Sequence, residues 1–160
     1  MELPVLRRLK KELEDLRFEL HHKLPKEIEV AREHGDLREN AEFHAAKERQ
    51  GFVNGRIGHI EQRIRDLSLY SVASIPRAAV GYGSLITLES EDGAEEKYEL
   101  VFPEEVDAAA GLISIGSPLG RAMLNKEVGD DIEVATPKGK RTYSIIELVT
   151  IHERKDIDIP

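Results

Sequence analysis

Three features of the sequence predict an α+β fold in which a long antiparallel α-helical coiled-coil hairpin precedes an antiparallel β-sheet domain with short helices. Leu6, Leu9, Leu13, Leu16 and Leu20 recur at 3,4,3,4 spacing, and Val53, Ile57, Ile60, Ile64 and Leu67, reaching back to Ala46, repeat that period in a second run. Such spacing places one apolar stripe along each of two helices. Gly35-Asp36 interrupts the two runs, and after Leu69 the period changes to alternating and β-branched segments.

The first helix reads from about Leu6, with Pro25 inside it. Proline removes a backbone donor, so the helix is expected to bend or open there. Gly35 suits a left-handed helix end and Asp36 an N-cap, so the chain reverses within a few residues and the helices lie antiparallel. Each arm of about 30 residues would be about 45 Å long. Ala41, Ala45 and Ala46 replace large residues near the reversal, which predicts a slender distal end.

Ile75-Pro76 and Gly81-Tyr82-Gly83 punctuate a linker. Strands are predicted at Ser84 to Leu88, Lys97 to Phe102, Leu112 to Ile115, Asp131 to Ala135 and Arg141 to Ile146, with turns at Glu91-Asp92-Gly93 and Pro137-Lys138-Gly139. Ser117-Pro118 starts a short helix to about Leu124. The expected organisation is a hairpin over 1–70 with an acidic tip near 34–40, a linker with first contacts over 71–83, a sheet domain over 84–152 and a loose tail over 153–160.

Composition narrows the chemistry. The chain has 160 residues, no Cys and no Trp, so disulfides, thiolate catalysis and Cys-ligated zinc are excluded and little remains for an aromatic-lined pocket. The formal charge is −8, yet the first 70 residues carry 14 basic and 14 acidic side chains, so the whole excess falls on the second part. An acidic domain is poorly suited to hold duplex phosphates. No segment approaches the roughly 18 apolar residues of a membrane span, and the N-terminus lacks a signal-peptide core, so a cytoplasmic protein without a membrane partner is expected.

Asp36 and Glu39 stand three residues apart, which at a helix start brings their Cβ atoms to roughly 5 to 6 Å. Two readings of that spacing stand. Asp-x-x-Glu is a capping box, the commoner use; it is also half of a cation site. Two carboxylates cannot hold Mg²⁺ firmly, because it takes about six oxygen ligands, so a site shared with another protein suits them better. Arg32, Arg38, Lys47 and Arg49 flank the pair and suit either nucleic-acid phosphates or ordinary ion pairs on a solvated helix face. No His-x3-His spacing, phosphate-binding glycine loop or nucleophile elbow occurs.

The run from Ala31 to Glu48, containing Gly35-Asp36-Leu37-Arg38-Glu39-Asn40-Ala41-Glu42, closely resembles the tip signature of the GreA/GreB family of bacterial transcript cleavage factors. His44-Ala45-Ala46-Lys47-Glu48 is similar to its GreA branch. Ile113 to Leu124, with Val128-Gly129-Asp130 and Thr136-Pro137, resembles the family's C-terminal domain. Phe43 stands where the family usually has Tyr, and the Thr-and-Gly lead-in to the first helix is missing.

The resemblance implies a coiled coil that enters the secondary channel of bacterial RNA polymerase and an FKBP-like domain that docks at its entrance through Gly116, Ser117 and Pro118. It implies that Asp36 and Glu39 help hold a catalytic Mg²⁺ jointly with the polymerase, which then cuts the nascent RNA 3′ end of a backtracked complex. Arg32, Arg38, Asn40 and Lys47 would contact RNA or polymerase at the tip. The protein would be a monomer and no enzyme by itself. Alternatives are a channel binder that regulates polymerase without cleavage, a prolyl isomerase, against which the low aromatic content argues, and a dimerising coiled-coil adaptor.

Overall fold

The computed structural model describes residues 2–36 and 39–157. It has an N-terminal helical region and a C-terminal sheet, divided into two compact units: Leu6–Tyr70, and Met1–Val5 together with Ser71–Pro160.

The helical unit is built from α1 (Pro4–Phe18), α2 (Leu24–Glu33) and α3 (Ala41–Leu67). Its arms run antiparallel. Glu12 pairs with Arg56, Glu19 with Arg49, and Ala31 with Asn40, so a higher number in the first arm meets a lower one in α3. The expected stripe is buried at Leu6, Leu9 and Leu13 in α1 and at Ala46, Val53, Ile60 and Leu67, seven residues apart, in α3, while Leu16, Leu20, Ile57 and Ile64 are half-buried. Of the three alanines predicted to narrow the distal seam, only Ala46 is buried; Ala41 and Ala45 face solvent.

The expected disturbance at Pro25 takes a definite form. A π turn over Glu19–Lys23 joins α1 to α2, and the Leu24 N–H donates to the Glu19 carbonyl five residues back. Proline has no N–H to continue the ordinary ladder, so it sits in the first turn of α2, where none is needed. The seam runs Leu16, Leu20, Leu24, Ile28, Ala31. Three successive four-residue steps exceed three ordinary turns, which take about 11 residues, and the wider π turn absorbs the surplus. Leu24 and Ile28 therefore stay buried.

Gly51, Gly55 and Gly58 lie exposed inside α3, where an added Cβ would meet nothing within 4 Å. Glycine weakens a helix interior through backbone entropy. Each Gly→Ala change is therefore expected to stabilise the helical unit by about 0.5 to 1 kcal/mol, read as a later loss of far-ultraviolet helical signal in urea. A triple variant that unfolds earlier would show that these positions serve something other than helix stability.

The second unit carries β1 (Leu85–Ser90), β2 (Glu95–Val101), β3 (Leu112–Ser114), α4 (Pro118–Met123), β4 (Asp131–Thr136) and β5 (Gly139–Val149). They form one five-stranded sheet in the order β3-β2-β1-β5-β4. Ile86, Leu88, Leu100, Ile132, Val134, Tyr143 and Ile145 point to one face and form the core with Val80 and Met123. Ile146 is the extra residue of a bulge, since Thr87 faces Glu147 while Leu88 faces Ile145.

Two expectations are corrected here, for the sheet and for the tail. The sheet is mixed, because β3 pairs with β2 in parallel: the chain between them passes through two 3-10 turns, Pro103–Glu105 and Ala108–Ala110, and re-enters on the same heading. The 71–83 segment makes packed contacts along its length, with Val72, Val80 and Tyr82 buried. The tail is not loose as far as Ile157. Ile151 is fully buried, His152 bonds the Ile75 carbonyl at 2.8 Å, and Arg154 bonds the Gly83 carbonyl, Glu99 and Asp156. Burial pulls the Arg154 guanidinium towards its neutral form, but its bonds to Asp156 and Glu99 outweigh that and hold it charged.

Candidate functional site

The segment between α2 and α3 carries the predicted acidic pair. Helix α2 is C-capped by His34, and Gly35 follows with φ +146°, a backbone angle that side chains disfavour. The Glu39 N–H donates to the Asp36 carbonyl at 3.4 Å, so the two acidic residues stand at the ends of one turn. Both are exposed.

Asp36 does not cap α3. That helix starts at Ala41, and its N-cap is Asn40, whose Oδ1 accepts the Phe43 N–H at 3.0 Å. The predicted Asp36-x-x-Glu39 capping box therefore does not form at α3, whose cap is the single Asn40 side chain four positions further on. Asn40 also donates from Nδ2 to the Ala31 carbonyl in α2. Asparagine is among the best N-caps, so the signal was present at position 40; the competing Asp36 obscured it.

The flanking cations are arranged unequally. The Arg32 guanidinium lies 5.7 Å from the centre of the Phe43 ring, a cation–π contact that joins α2 to α3. Lys47 donates to Gln50 within its own helix, and its side chain is exposed. Arg38 lies outside the described residues. Arg49, for which the sequence leaves a phosphate contact and an ordinary ion pair both open, takes the ion pair: it forks onto both oxygens of Glu19 at 2.7 and 3.0 Å and packs on Phe52. That hydrogen bond holds the Glu19 carboxyl below the usual carboxylate range. His34 Nδ1 meets Glu42 at 2.8 Å, a pair that sequence reading missed because eight residues separate them.

Among the described residues no group of three His, Asp or Glu side chains is gathered to hold a metal ion. The turn thus offers a donor set of two exposed carboxylates. That set fits a hard divalent cation only where further oxygen ligands come from elsewhere.

In the second unit the predicted docking residues sit together at the start of α4. The Ser117 hydroxyl accepts the Gly120 N–H at 3.0 Å and donates to the Ser114 carbonyl at 2.7 Å, so it serves as an N-cap. Gly116 and Pro118 are exposed on either side of it.

Two family models cover this arrangement: transcription elongation factor, N-terminal, over residues 5–68, and transcription elongation factor, GreA/GreB, C-term, over residues 75–150. The chain belongs to the GreA/GreB family of transcription elongation factors.

Relatives named transcription elongation factor GreA agree with that placement. The Caulobacter sp. (strain K31) protein is 46% identical over 122 residues, 76% of this chain and 78% of that protein. The protein of Halorhodospira halophila is 41% identical over 143 residues, covering 88% and 90%. Among solved structures, GreA factor homolog 1 of Thermus thermophilus is 29% identical over 90% of this chain and 94% of its own, with a TM-score of 0.41, a likeness that carries no argument about the arrangement. No helix among the described residues is long and apolar enough to cross a membrane.

Proposed function

We propose that this GreA/GreB family member stimulates bacterial RNA polymerase to cut the 3′ end of its own nascent RNA in backtracked complexes, so that elongation resumes. The observation that carries this reading is a two-carboxylate turn set between the ends of paired helices, exposed and, among the described residues, not part of any group of three such side chains gathered to hold a metal. A complete metal site would need no partner, whereas this one gains meaning only beside a centre that lacks two oxygens.

In this reading the paired helices act as a coiled-coil hairpin that enters the secondary channel. The second unit, FKBP-like in type, docks at the entrance through Gly116, Ser117 and Pro118. Asp36 and Glu39 would hold Mg²⁺ jointly with the polymerase; when bound, the ion supplies Lewis-acid polarisation of the scissile phosphate and an activated water. Their own part is to bring negative charge to that place and orient the water by accepting its hydrogen bonds. Arg32 and Lys47, with Arg38, lie near enough in sequence to meet RNA phosphates. The protein acts as a monomer in the cytoplasm and supplies no complete active site of its own.

The test is a purified polymerase halted and backtracked on a template, incubated with the full chain and Mg²⁺. Stimulated shortening of the labelled transcript, followed by renewed extension on adding nucleotides, is the expected result. Transcripts of unchanged length from complexes that the protein demonstrably occupies would favour regulation without cleavage and end this reading.

A further inference from the structure

Asn40 makes three bonds at the start of α3. Its Oδ1 accepts the Phe43 N–H at 3.0 Å, its backbone carbonyl accepts the His44 N–H at 3.1 Å, and its Nδ2 donates to the Ala31 carbonyl at 2.5 Å. The last of these crosses from one helix to the other, and the side chain is half-buried. The amide orientation follows from the partners, since an N–H needs the oxygen and a carbonyl needs the NH₂.

Capping alone does not explain this residue type. Ser, Thr, Asp and Asn all cap helices well. Only a carboxamide has an acceptor for Phe43 and, on the same planar group, a donor for Ala31. Asp offers no donor, and a Ser hydroxyl is too short to reach both helix ends. Beside this clip the Arg32 guanidinium lies over the Phe43 ring, linking the residue after Ala31 to the residue that donates to the cap. These two contacts, with the His34–Glu42 pair at 2.8 Å, therefore tie the end of α2 to the start of α3, and the turn bearing Asp36 and Glu39 is strung between them.

We infer that Asn40 is a positioning residue, which clips the two helix ends together so that Asp36 and Glu39 are presented in one arrangement, rather than a residue that touches RNA or polymerase. The inference rests on the cleavage reading. Exposed carboxylates on a short loop would otherwise spread over many arrangements, and fixing them in advance removes an entropy cost from assembling the shared site.

The test uses the full chain with Asn40→Asp, Asn40→Ser and Asn40→Ala. Asp and Ser keep the cap and lose the clip; Ala loses both. On backtracked complexes all three are expected to lower the rate at saturating protein by roughly 10- to 100-fold, the scale of a misplacement of about 1 Å. The Mg²⁺ needed for half-maximal cleavage should rise, while the protein concentration needed for half-occupancy stays the same.

In the free protein, hydrogen exchange at residues 33–36 should quicken in all three variants, and the Phe43 amide should stay protected in the Asp and Ser forms. Asp and Ser variants equal to the parent in both measurements would reduce Asn40 to a cap. A raised half-occupancy concentration with an unchanged saturated rate would make it a direct contact. If the parent protein itself shortens no transcript, the cleavage reading fails, and the exchange measurements still decide the clip.

Discussion

Asp36→Asn and Glu39→Gln are each expected to lower stimulated cleavage by roughly 100-fold or more, the scale seen when one preorganised electrostatic group is removed. Neither residue caps α3, which relies on Asn40, and both are exposed, so thermal unfolding is expected to stay within about 0.5 kcal/mol of the parent. Loss of one negative charge weakens a shared hard-cation site without changing side-chain volume. Raised Mg²⁺ should partly restore each single variant by mass action, and occupancy of the polymerase should persist. The double variant should cost much less than the product of the two single losses, as for groups that act as a unit. Single variants that cleave normally at low Mg²⁺ would remove both residues from the chemistry.

Gly120→Ala is expected to be the most damaging small change in the second unit. A Cβ there would lie 2.1 Å from the Ser114 carbonyl oxygen, 3.0 Å from Ser117 Oγ and 3.1 Å from Leu100 Cδ1. The carbonyl cannot step aside, because it accepts both the N–H and the hydroxyl of Ser117, and Ser114 is held in register opposite Val101. Either α4 lifts off the sheet or the turn before it breaks, a loss of about 3 kcal/mol or more. Gly116→Ala is the control in the same loop, since its Cβ would meet only Ser114 Oγ at an ordinary 3.6 Å. Urea unfolding followed by tyrosine fluorescence separates them, Tyr82, Tyr98 and Tyr143 all lying in this unit. Equal midpoints for the two variants would contradict the packing described.

Much of this molecule was legible because it is written in local patterns. The Leu and Ile stripes predicted both arms, since a helix buries one face and 3,4 spacing marks that face. Alternation marked five strands, and Ser117-Pro118 marked the start of α4, because cap and first-turn chemistry is satisfied within a few residues. The length of the tip signature pointed to the family, which the two family models then bore out. The spacing Leu16, Leu20, Leu24, Ile28 even carried the surplus that the π turn absorbs, although Pro25 drew the attention.

What the sequence by itself determined about this protein is thus the kind and order of its elements and the acidic pair between two helices. Only the tertiary structure decided which residue caps α3, because Asp36 and Asn40 are both good caps and the choice turns on a carbonyl nine residues earlier that the amide of Asn40 reaches. The same holds for the parallel β3, whose heading no periodicity encodes, and for the tail, where a buried Arg154 finds Glu99 fifty-five residues away. Partners distant in sequence leave no mark in spacing, and a polar side chain with several possible partners takes the one that folding brings within hydrogen-bond reach.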